Sequence, residues 1–387
     1  MKEMRKLPLL PRIIIAIVAG ILLGQFLPLS IVRLFATFNG IFSQFLGFMI
    51  PFIIVGLVTP AIGDIGRGAG KLLIVTVLIA YLDTVLAGML AYGTGSTLFP
   101  HLIESATGAS NIEKPEDILP YFNVNIPAMF DVMSALVFSF MMGLCIAYGS
   151  LPSMKSVFNE FRDVVTRVIT SAIIPLLPLY IFGIFLTMTS SGEVYHILKV
   201  FAMIIVIIFA LHIFILLYEF ILAGIIGKRN PLRALWNMLP AYFTALGTSS
   251  SAATIPITLR QTIKNGVSEG VAGFTIPLCA TIHMSGSAMK ITCCAVTICL
   301  LNGLPYDFPT FLHFVMMLGI VMVAAPGVPG GAIMAALAPL SSILGFDSES
   351  QALMIALYIA MDSFGTACNV TGDGAISIVV DRFFKRA

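Results

Sequence analysis

The chain has 387 residues and a formal net charge of +2, and 58% of its residues are hydrophobic whereas only 10% are charged. Soluble domains carry about 25% charged residues, so this composition excludes an ordinary soluble enzyme. The small net charge gives no electrostatic reason to expect a nucleic-acid partner. At about 20 residues per span, the length allows about eight membrane-spanning helices. The sequence therefore predicts an all-α integral membrane protein surrounded by the lipid bilayer.

Apolar runs mark the candidate spans in chain order. They cover about 12–28, 31–62, 72–92, 129–147, 164–188, 197–226, a less uniform region at 239–300, 311–344 and 352–380. Most of the 21 Lys and Arg residues fall in loops on one side, and the acidic segment 99–125 falls on the other. Because basic loops stay in the cytoplasm, we expect both termini to be cytoplasmic. The predicted location is the cell (inner) membrane.

Two of the apolar stretches are interrupted by small, polar or helix-breaking residues. One reads LGTSSSAATIPIT at 246–258, and the other reads VAAPGVPGGAIM at 323–334. Irregular backbone at membrane depth is tolerated only when it is buried in protein or lines a polar cavity. Two such interruptions indicate a transporter site built from discontinuous helices. The alternative of two exposed loops between ordinary helices stays open at this point.

Four ionisable residues lie deep in apolar segments, where a charge costs at least about 2.5 kcal/mol. They are Asp83, Lys290, Asp362 and Asp373. Asp362 begins a polar stripe at intervals of four, three and four residues, which continues with Thr366, Asn369 and Asp373. This spacing predicts one helical face, and its oxygen atoms suit an ammonium group and a hard cation such as sodium.

An enzyme is not expected from these residues, and neither is a cofactor other than a coupling ion. Asp362 and Asp373 are about 16 Å apart along one helix, which is too far for two carboxylates to share a proton. The serine cluster at 249–251 lacks a GxSxG motif.

Four motifs, taken together in this order, are highly specific for one protein family. They are TSSSAATIP at 248–256, IPLCATIHMSGS at 276–287, GVPGG at 327–331 and NVTGD at 369–373. With them, the chain resembles the dicarboxylate/amino acid:cation symporter family, the glutamate-transporter homologues, from about Arg12 to Arg382. The pattern of its last helix is similar to that of the serine/threonine branch.

The resemblance implies an architecture of eight transmembrane helices plus two re-entrant helical hairpins. It also implies a homotrimer and an elevator mechanism, in which a transport domain slides against a scaffold. The implied division is scaffold helices 1–2 at 1–70, transport-domain helix 3 at 71–95, scaffold helices 4–5 at 126–190, and the remaining transport domain (helix 6, hairpin 1, helix 7, hairpin 2, helix 8) at 196–387.

The resemblance further implies roles for single residues. Asp362 would hold the ammonium group of an amino acid, and Asn369 would contact its carboxylate. The other substrate-binding positions would be Ser250, Ser251, Ser287, Gly330 and Thr366. Asp373 would bind sodium, together with the other implied sodium-site positions, which are Cys279, Thr281, His283, Met284 and Asn369.

Departures from the family pattern bear on the substrate. Gly365 and Ser249 stand where members that take acidic substrates carry an arginine. An unpaired buried carboxylate costs several kcal/mol, so the loss of both arginines favours a small neutral amino acid. We therefore predict a sodium-driven symporter of a serine-, threonine- or alanine-like substrate. The alternative is an acidic amino acid or dicarboxylate symporter in which Lys290 replaces the arginine, although its position fits this poorly.

A second departure bears on the coupling ion. His283 and Ser285 replace an asparagine and an aspartate of the family's cation-binding segment. Two hypotheses follow. Either the ammonium group of Lys290, paired with Asp83, takes the place of a lost sodium ion, or His283 exchanges protons. Sodium is the predicted coupling ion, and the proton is the open alternative.

Overall fold

The computed structural model describes residues 9–65, 70–107, 118–130, 132–192, 194–323, 325 and 330–384. Every regular element in these ranges is helical, as predicted. The helices are α1 (Leu9–Gly24), α2 (Leu29–Ile65), α3 (Gly70–Thr107), α4 (Val132–Gly149), α5 (Pro152–Val168), α6 (Ile174–Ser190), α7 (Val194–Gly227), α8 (Pro231–Thr248), α9 (Ser251–Lys264), α10 (Glu269–Ile282), α11 (Ser285–Asn302), α12 (Phe308–Val323), α13 (Gly331–Ser342), α14 (Ser348–Ala360) and α15 (Asp362–Phe384). A π-helical turn at Ile169–Ile173 joins α5 to α6.

Several helical segments are long and apolar enough to cross a bilayer. Within the described ranges there are five, at Leu29–Pro60, Lys71–Ile103, Pro152–Ser190, Leu198–Gly227 and Glu269–Asn302. The pair α14 and α15, bent by 64°, makes a sixth if it is counted as one span. The chain is therefore a multi-pass membrane protein. The count of eight spans stays a prediction.

Helix α3 is longer than the sequence analysis expected. The apolar run ends at Tyr92, but the helix continues to Thr107 and takes in the first part of the predicted external loop. The polar residues that come after the run fit inside the helix because their hydroxyls bond back to its own carbonyls. Ser96 and Thr97 both donate to the Gly93 oxygen, at 3.3 and 2.8 Å. Residues 108–117 of the predicted loop lie outside the described part of the chain.

Four helix breaks position the site. Helices α8 and α9 meet at Ser249, whose φ of +50° is left-handed, and at Ser250, whose side chain caps α9 by accepting from the Ala253 amide. Helix α10 ends at Ile282, and α11 begins after two intervening residues. Helix α13 starts after Gly330, whose φ of +77° suits glycine. The fourth break, at Met361, separates α14 from α15.

The helices pack in two sets. The first set comprises α1, α2, α4, α5 and α6; within it, α2 contacts α4, α5 and α6, and α1 contacts α6. The second set is centred on α15, which contacts α7, α8, α9, α10, α11 and α14. Helix α3 lies along α11, α12 joins the set through α3, and α13 joins it through α12 and α14. Apolar side chains such as Ile74, Val206 and Ile225 remain more than 60% exposed, as a lipid-facing surface requires. The division into scaffold and transport domain at the boundaries given above stays a prediction.

Candidate functional site

Four helix N-termini converge on one small cavity. The cavity is lined by Ser251 at the start of α9, Ser287 in the first turn of α11, Ala332 in the first turn of α13 and Asp362 at the start of α15. Its other lining residues are Ser249, Ala280, Met284, Tyr358, Thr366 and Asn369. Helix N-termini carry partial positive charge and free amide groups, so this cavity suits a carboxylate.

The space inside the cavity is small. It measures about 30 Å³, roughly the volume that one water molecule occupies in the liquid. An amino acid cannot enter until one of the surrounding bends moves. Residue Gly330 belongs to such a bend, and the remainder of the predicted GVPGG bend, 327–329, lies outside the described residues.

Asp362 is the one carboxylate among the described residues that line this cavity. Its Oδ2 atom accepts a hydrogen bond of 2.9 Å from the Gly330 amide. Its Oδ1 atom lies 3.6 Å from the Nζ atom of Lys290. The carboxylate that the sequence analysis assigned to a substrate ammonium group is thus already paired on both oxygens in this structure.

Asn369 and Ser287 bind each other directly in the wall of the cavity. The Asn369 side-chain oxygen accepts from the Ser287 amide at 3.2 Å, and its side-chain nitrogen donates to the Ser287 hydroxyl at 3.1 Å. That hydroxyl also lies 3.2 Å from the hydroxyl of Tyr358. Thr366 lines the same cavity and donates its hydroxyl to the Asp362 carbonyl at 2.9 Å.

The serine-rich bend contributes one of the two expected serines, Ser251, together with Ser249. Ser249 and Ser251 line the cavity, and the Ser249 hydroxyl lies 2.9 Å from that of Ser363. Ser250 is not among the lining residues, and its hydroxyl oxygen caps α9 by accepting from the Ala253 amide at 3.3 Å. The sequence analysis did not include Ser249 or Tyr358 among the substrate-binding residues, although it placed Ser249 where members that take acidic substrates carry an arginine. Ser249 was detectable from its place in the serine run, but no sequence signal marks Tyr358.

A second polar cluster lies behind the cavity, deep between α3, α7, α10 and α15. His283 bridges two carboxylates: Nε2 is 2.9 Å from Asp83 Oδ2, and Nδ1 is 3.0 Å from Asp373 Oδ1. Glu219 joins the cluster, since Oε1 accepts from the Ser285 hydroxyl at 2.9 Å. No hydrogen-bond donor reaches Glu219 Oε2 within the described part of the chain. Oxygen and nitrogen atoms of Asp83, Glu219 and His283 lie within 4.8 Å of one another, so a cation can be held among them.

This cluster shows that the predicted Lys290–Asp83 pair is wrong. His283 occupies the place next to Asp83, and Lys290 lies on the cavity side of α11, paired with Asp362. The reason is helical geometry: Lys290 comes three residues after Ser287 and therefore shares the face of α11 that points to the start of α15.

The remaining residues assigned to sodium are only partly brought together. Cys279 is fully buried beside Ile376 and Val380, and its carbonyl accepts from the His283 amide at 2.9 Å. Met284 lines the cavity, and its amide donates to the hydroxyl of Thr84 at 3.3 Å. Thr281 lies apart from both the cavity and the cluster, because its exposed hydroxyl donates to Leu278 within α10.

Broken helices that meet around a polar cavity inside an apolar, multi-pass protein define a membrane transport protein. Residues 9–383 match the family model described as the sodium:dicarboxylate symporter family, and the chain belongs to that family.

Three relatives of the chain are named as transporters of amino acids. The chain is 27% identical to the serine/threonine transporter SstT of Streptococcus suis, over 85% of this chain and 94% of the relative. It is 26% identical to the protein of the same name from Acinetobacter baylyi, over 98% of both chains. It is 28% identical to the mouse excitatory amino acid transporter 3, over 72% of this chain and 53% of the relative. All three are transporters by name, in agreement with the expectation that the chain is not an enzyme.

Proposed function

We propose that this protein is a secondary active symporter that carries a small neutral amino acid, similar in size to serine, threonine or alanine, with sodium as the coupling ion. The observation that carries the proposal is the cavity itself. One carboxylate, Asp362 at the start of α15, shares a neutral, hydroxyl- and amide-lined space with the N-termini of three other helices. An amino acid brings the complementary groups, an ammonium for Asp362 and a carboxylate for the helix ends.

The composition of the lining supports a neutral side chain. No arginine or lysine is among the lining residues that the structure describes, and their polar groups are hydroxyls and an amide apart from Asp362. A second carboxylate on the substrate would have to be buried there without a cationic partner in direct contact, which costs several kcal/mol. Two of the relatives named above are serine/threonine transporters. These facts favour serine-like substrates over aspartate or dicarboxylates.

Two alternatives have their own supporting observations. The buried ammonium group of Lys290, 3.6 Å from Asp362, favours an acidic amino acid or dicarboxylate if it turns toward the cavity. The bridge of His283 between Asp83 and Asp373 favours a proton as the coupling ion. The mode of transport that we propose is an elevator movement of α3 and α7–α15 against α1, α2 and α4–α6, in a homotrimer, in the cell membrane, with both termini cytoplasmic.

The test is uptake by purified protein in liposomes. Labelled serine, threonine, alanine, aspartate and succinate are offered under a sodium gradient alone and under a pH gradient alone. We expect uptake of the three neutral amino acids, driven by sodium. Uptake of aspartate or succinate but not of serine would contradict the proposed substrate. Uptake that needs the pH gradient and not sodium would assign the coupling to protons.

A variant in the cavity ties uptake to this site. Asn369→Ala removes both bonds to Ser287 and one of the polar groups that line the cavity, so we expect uptake to fall at least 100-fold. Asn125→Ala changes an exposed asparagine outside the cavity and serves as the matched control, with uptake within twofold of the unmodified protein. Equal uptake by both variants would mean that the substrate binds elsewhere.

A further inference from the structure

Lys290 is a completely buried lysine at the centre of the second helix set. Its side chain has 0% exposure, and Nζ lies 3.6 Å from Asp362 Oδ1. The ammonium group also donates to the carbonyls of Met361 and Tyr358, at 3.2 and 3.4 Å. It lies 3.5 Å from the centre of the Tyr358 ring, in a cation–π arrangement. Lys290 is therefore held in one place by a carboxylate, two carbonyls and a ring.

The neighbouring helix leaves room for this lysine. A Cβ atom at Gly365 would lie 2.9 Å from Lys290 Nζ, closer than real Cβ atoms come to a neighbour, and 3.1 Å from Cε, which is a tight contact. The ammonium group thus occupies the space that a side chain at 365 would fill. Tyr358 and Asp362 line the cavity and Lys290 does not, so Lys290 lies one layer behind the substrate space.

The net charge of the site is set by one residue in the cavity wall and one residue behind it. Asp362 is the acidic group that lines the cavity, and Lys290 is the cation in contact with it. Together they sum to zero. A buried site of low dielectric constant penalises any ligand that leaves it with a net charge. An amino acid with a neutral side chain is a zwitterion and adds none, whereas an amine without a carboxylate adds one positive charge.

We infer that Lys290 is a specificity-determining positioning residue: its ammonium group balances Asp362, so that the site selects ligands of zero net charge. The inference rests on the proposed function, in which Asp362 receives the substrate ammonium. In the closed site the Gly330 amide holds Asp362 Oδ2, and Lys290 lies beside Oδ1. In the proposed complex a substrate ammonium replaces the Gly330 amide on Oδ2, and Lys290 stays on Oδ1.

The first experiment compares two ligands that differ in net charge. At about pH 6, below the pKa of an α-amino group, L-serine is a zwitterion and L-serinamide carries the same ammonium group without the carboxylate. The half-maximal concentration of each for thermal stabilisation is measured on the purified protein. Lys290→Met should shift the ratio of the two values at least tenfold in favour of serinamide, because the site then has an unbalanced negative charge.

Two further variants separate charge from shape. Lys290→Arg keeps the charge and should leave the ratio within about threefold of the unmodified protein. Lys264→Met removes an exposed lysine at the end of α9 and should leave the ratio unchanged. A ratio in Lys290→Met within twofold of that in the unmodified protein overturns the inference.

A second experiment needs no ligand. Melting temperatures are compared for Lys290→Met, Asp362→Asn and the double variant. Each single change leaves a buried charge alone and should lower the melting temperature, and the double change should recover at least half of the summed loss. Losses that simply add would show that the two residues act independently, and the inference falls. If the unmodified protein neither binds nor transports any amino acid, the proposed function fails. The melting temperatures still decide whether Lys290 and Asp362 act as a charge pair, because that measurement needs no ligand.

Discussion

The residues around His283 show how a buried cluster of acids is accommodated. Three carboxylates, from Asp83, Asp373 and Glu219, surround one imidazole at membrane depth. An isolated charge there is costly, so the negative charge of the cluster has to be balanced by bound protons or by a cation. Its shape depends on Gly372, because a Cβ atom at that position would overlap Glu219 Oε2 and lie 2.8 Å from His283 Cε1.

Gly372→Ala tests this packing. The added methyl group has no free space and must push apart Glu219 and His283, so we expect a loss of about 2 kcal/mol in the free energy of unfolding. Uptake of serine should fall with it, because His283 and Asp373 shift. Thermal unfolding in detergent and liposome uptake are the measurements.

The matched control is another glycine in a helix of the same set. Gly273 in α10 has open space around its Cα atom, so Gly273→Ala should leave stability unchanged or raise it by up to about 1 kcal/mol. Equal effects of the two substitutions would mean that Gly372 is not needed for close packing.

The sequence predicted the identity of the polar residues better than their partners. The spacing of Asp362, Thr366 and Asn369 predicts a shared helical face, and all three line one cavity. The partner of Lys290 was wrongly assigned. Its contact with Asp362, which is 72 residues later in the chain, depends on the position of α11 along the membrane normal relative to α15. This relative position is set by packing between the helices, and the spacing of residues along one helix does not reveal it.

At the level of elements, breaks with a local chemical cause were predictable. The serine run contains the break between α8 and α9. Gly330 precedes α13 and adopts a left-handed backbone conformation, which glycine permits. The break between α10 and α11 at His283 and Met284 was not predicted. No proline or glycine occupies these two positions, and the His283 ring is held by Asp83 and Asp373 from other helices. Tertiary contacts of that kind leave no local signature.

The end of α15 is fixed to two neighbouring elements by one carboxylate. Asp381 Oδ2 lies 3.2 Å from Arg229 Nη2, and Oδ1 accepts from the amide and hydroxyl of Ser268 at 3.0 and 2.8 Å. Asp381 is 2% exposed and Arg229 is 20% exposed at the side chain. The carboxylate therefore joins α15 to the α7–α8 turn and to the start of α10.

Asp381→Ala should remove this junction and lower the free energy of unfolding by about 2 kcal/mol, because the arginine and the serine amide lose a buried acceptor. Hydrogen exchange at residues 268–272 should rise at the same time. Asp163→Ala removes a carboxylate that is 79% exposed in α5 and should change neither quantity. An Asp381 variant with unchanged exchange at the start of α10 would contradict the junction.

At the scale of the whole molecule, a hydrogen bond at the start of α14 links the two helix sets. The hydroxyl of Tyr180, in α6, donates to the carbonyl of Ser348 at the start of α14, at 3.1 Å. Helix α13 also lies against α2, and α14 against α1. If the second set slides past the first during transport, as proposed, the bond of Tyr180 exists in only one end state.

Tyr180→Phe removes that bond and keeps the ring. A hydrogen bond is worth about 1 kcal/mol, so the ratio of the two end states should change about fivefold in favour of the other state. If the second helix set moves as one rigid unit, α13 loses its contact with α2 at the same time. Hydrogen exchange should therefore rise both at Ser348–Ala352 and in α13, which is far along the chain from the substitution. Tyr148→Phe, at an exposed tyrosine of α4, is the control and should change neither. If the two sets are fixed, exchange rises only next to residue 180 and α13 stays protected, and the sliding movement is then excluded.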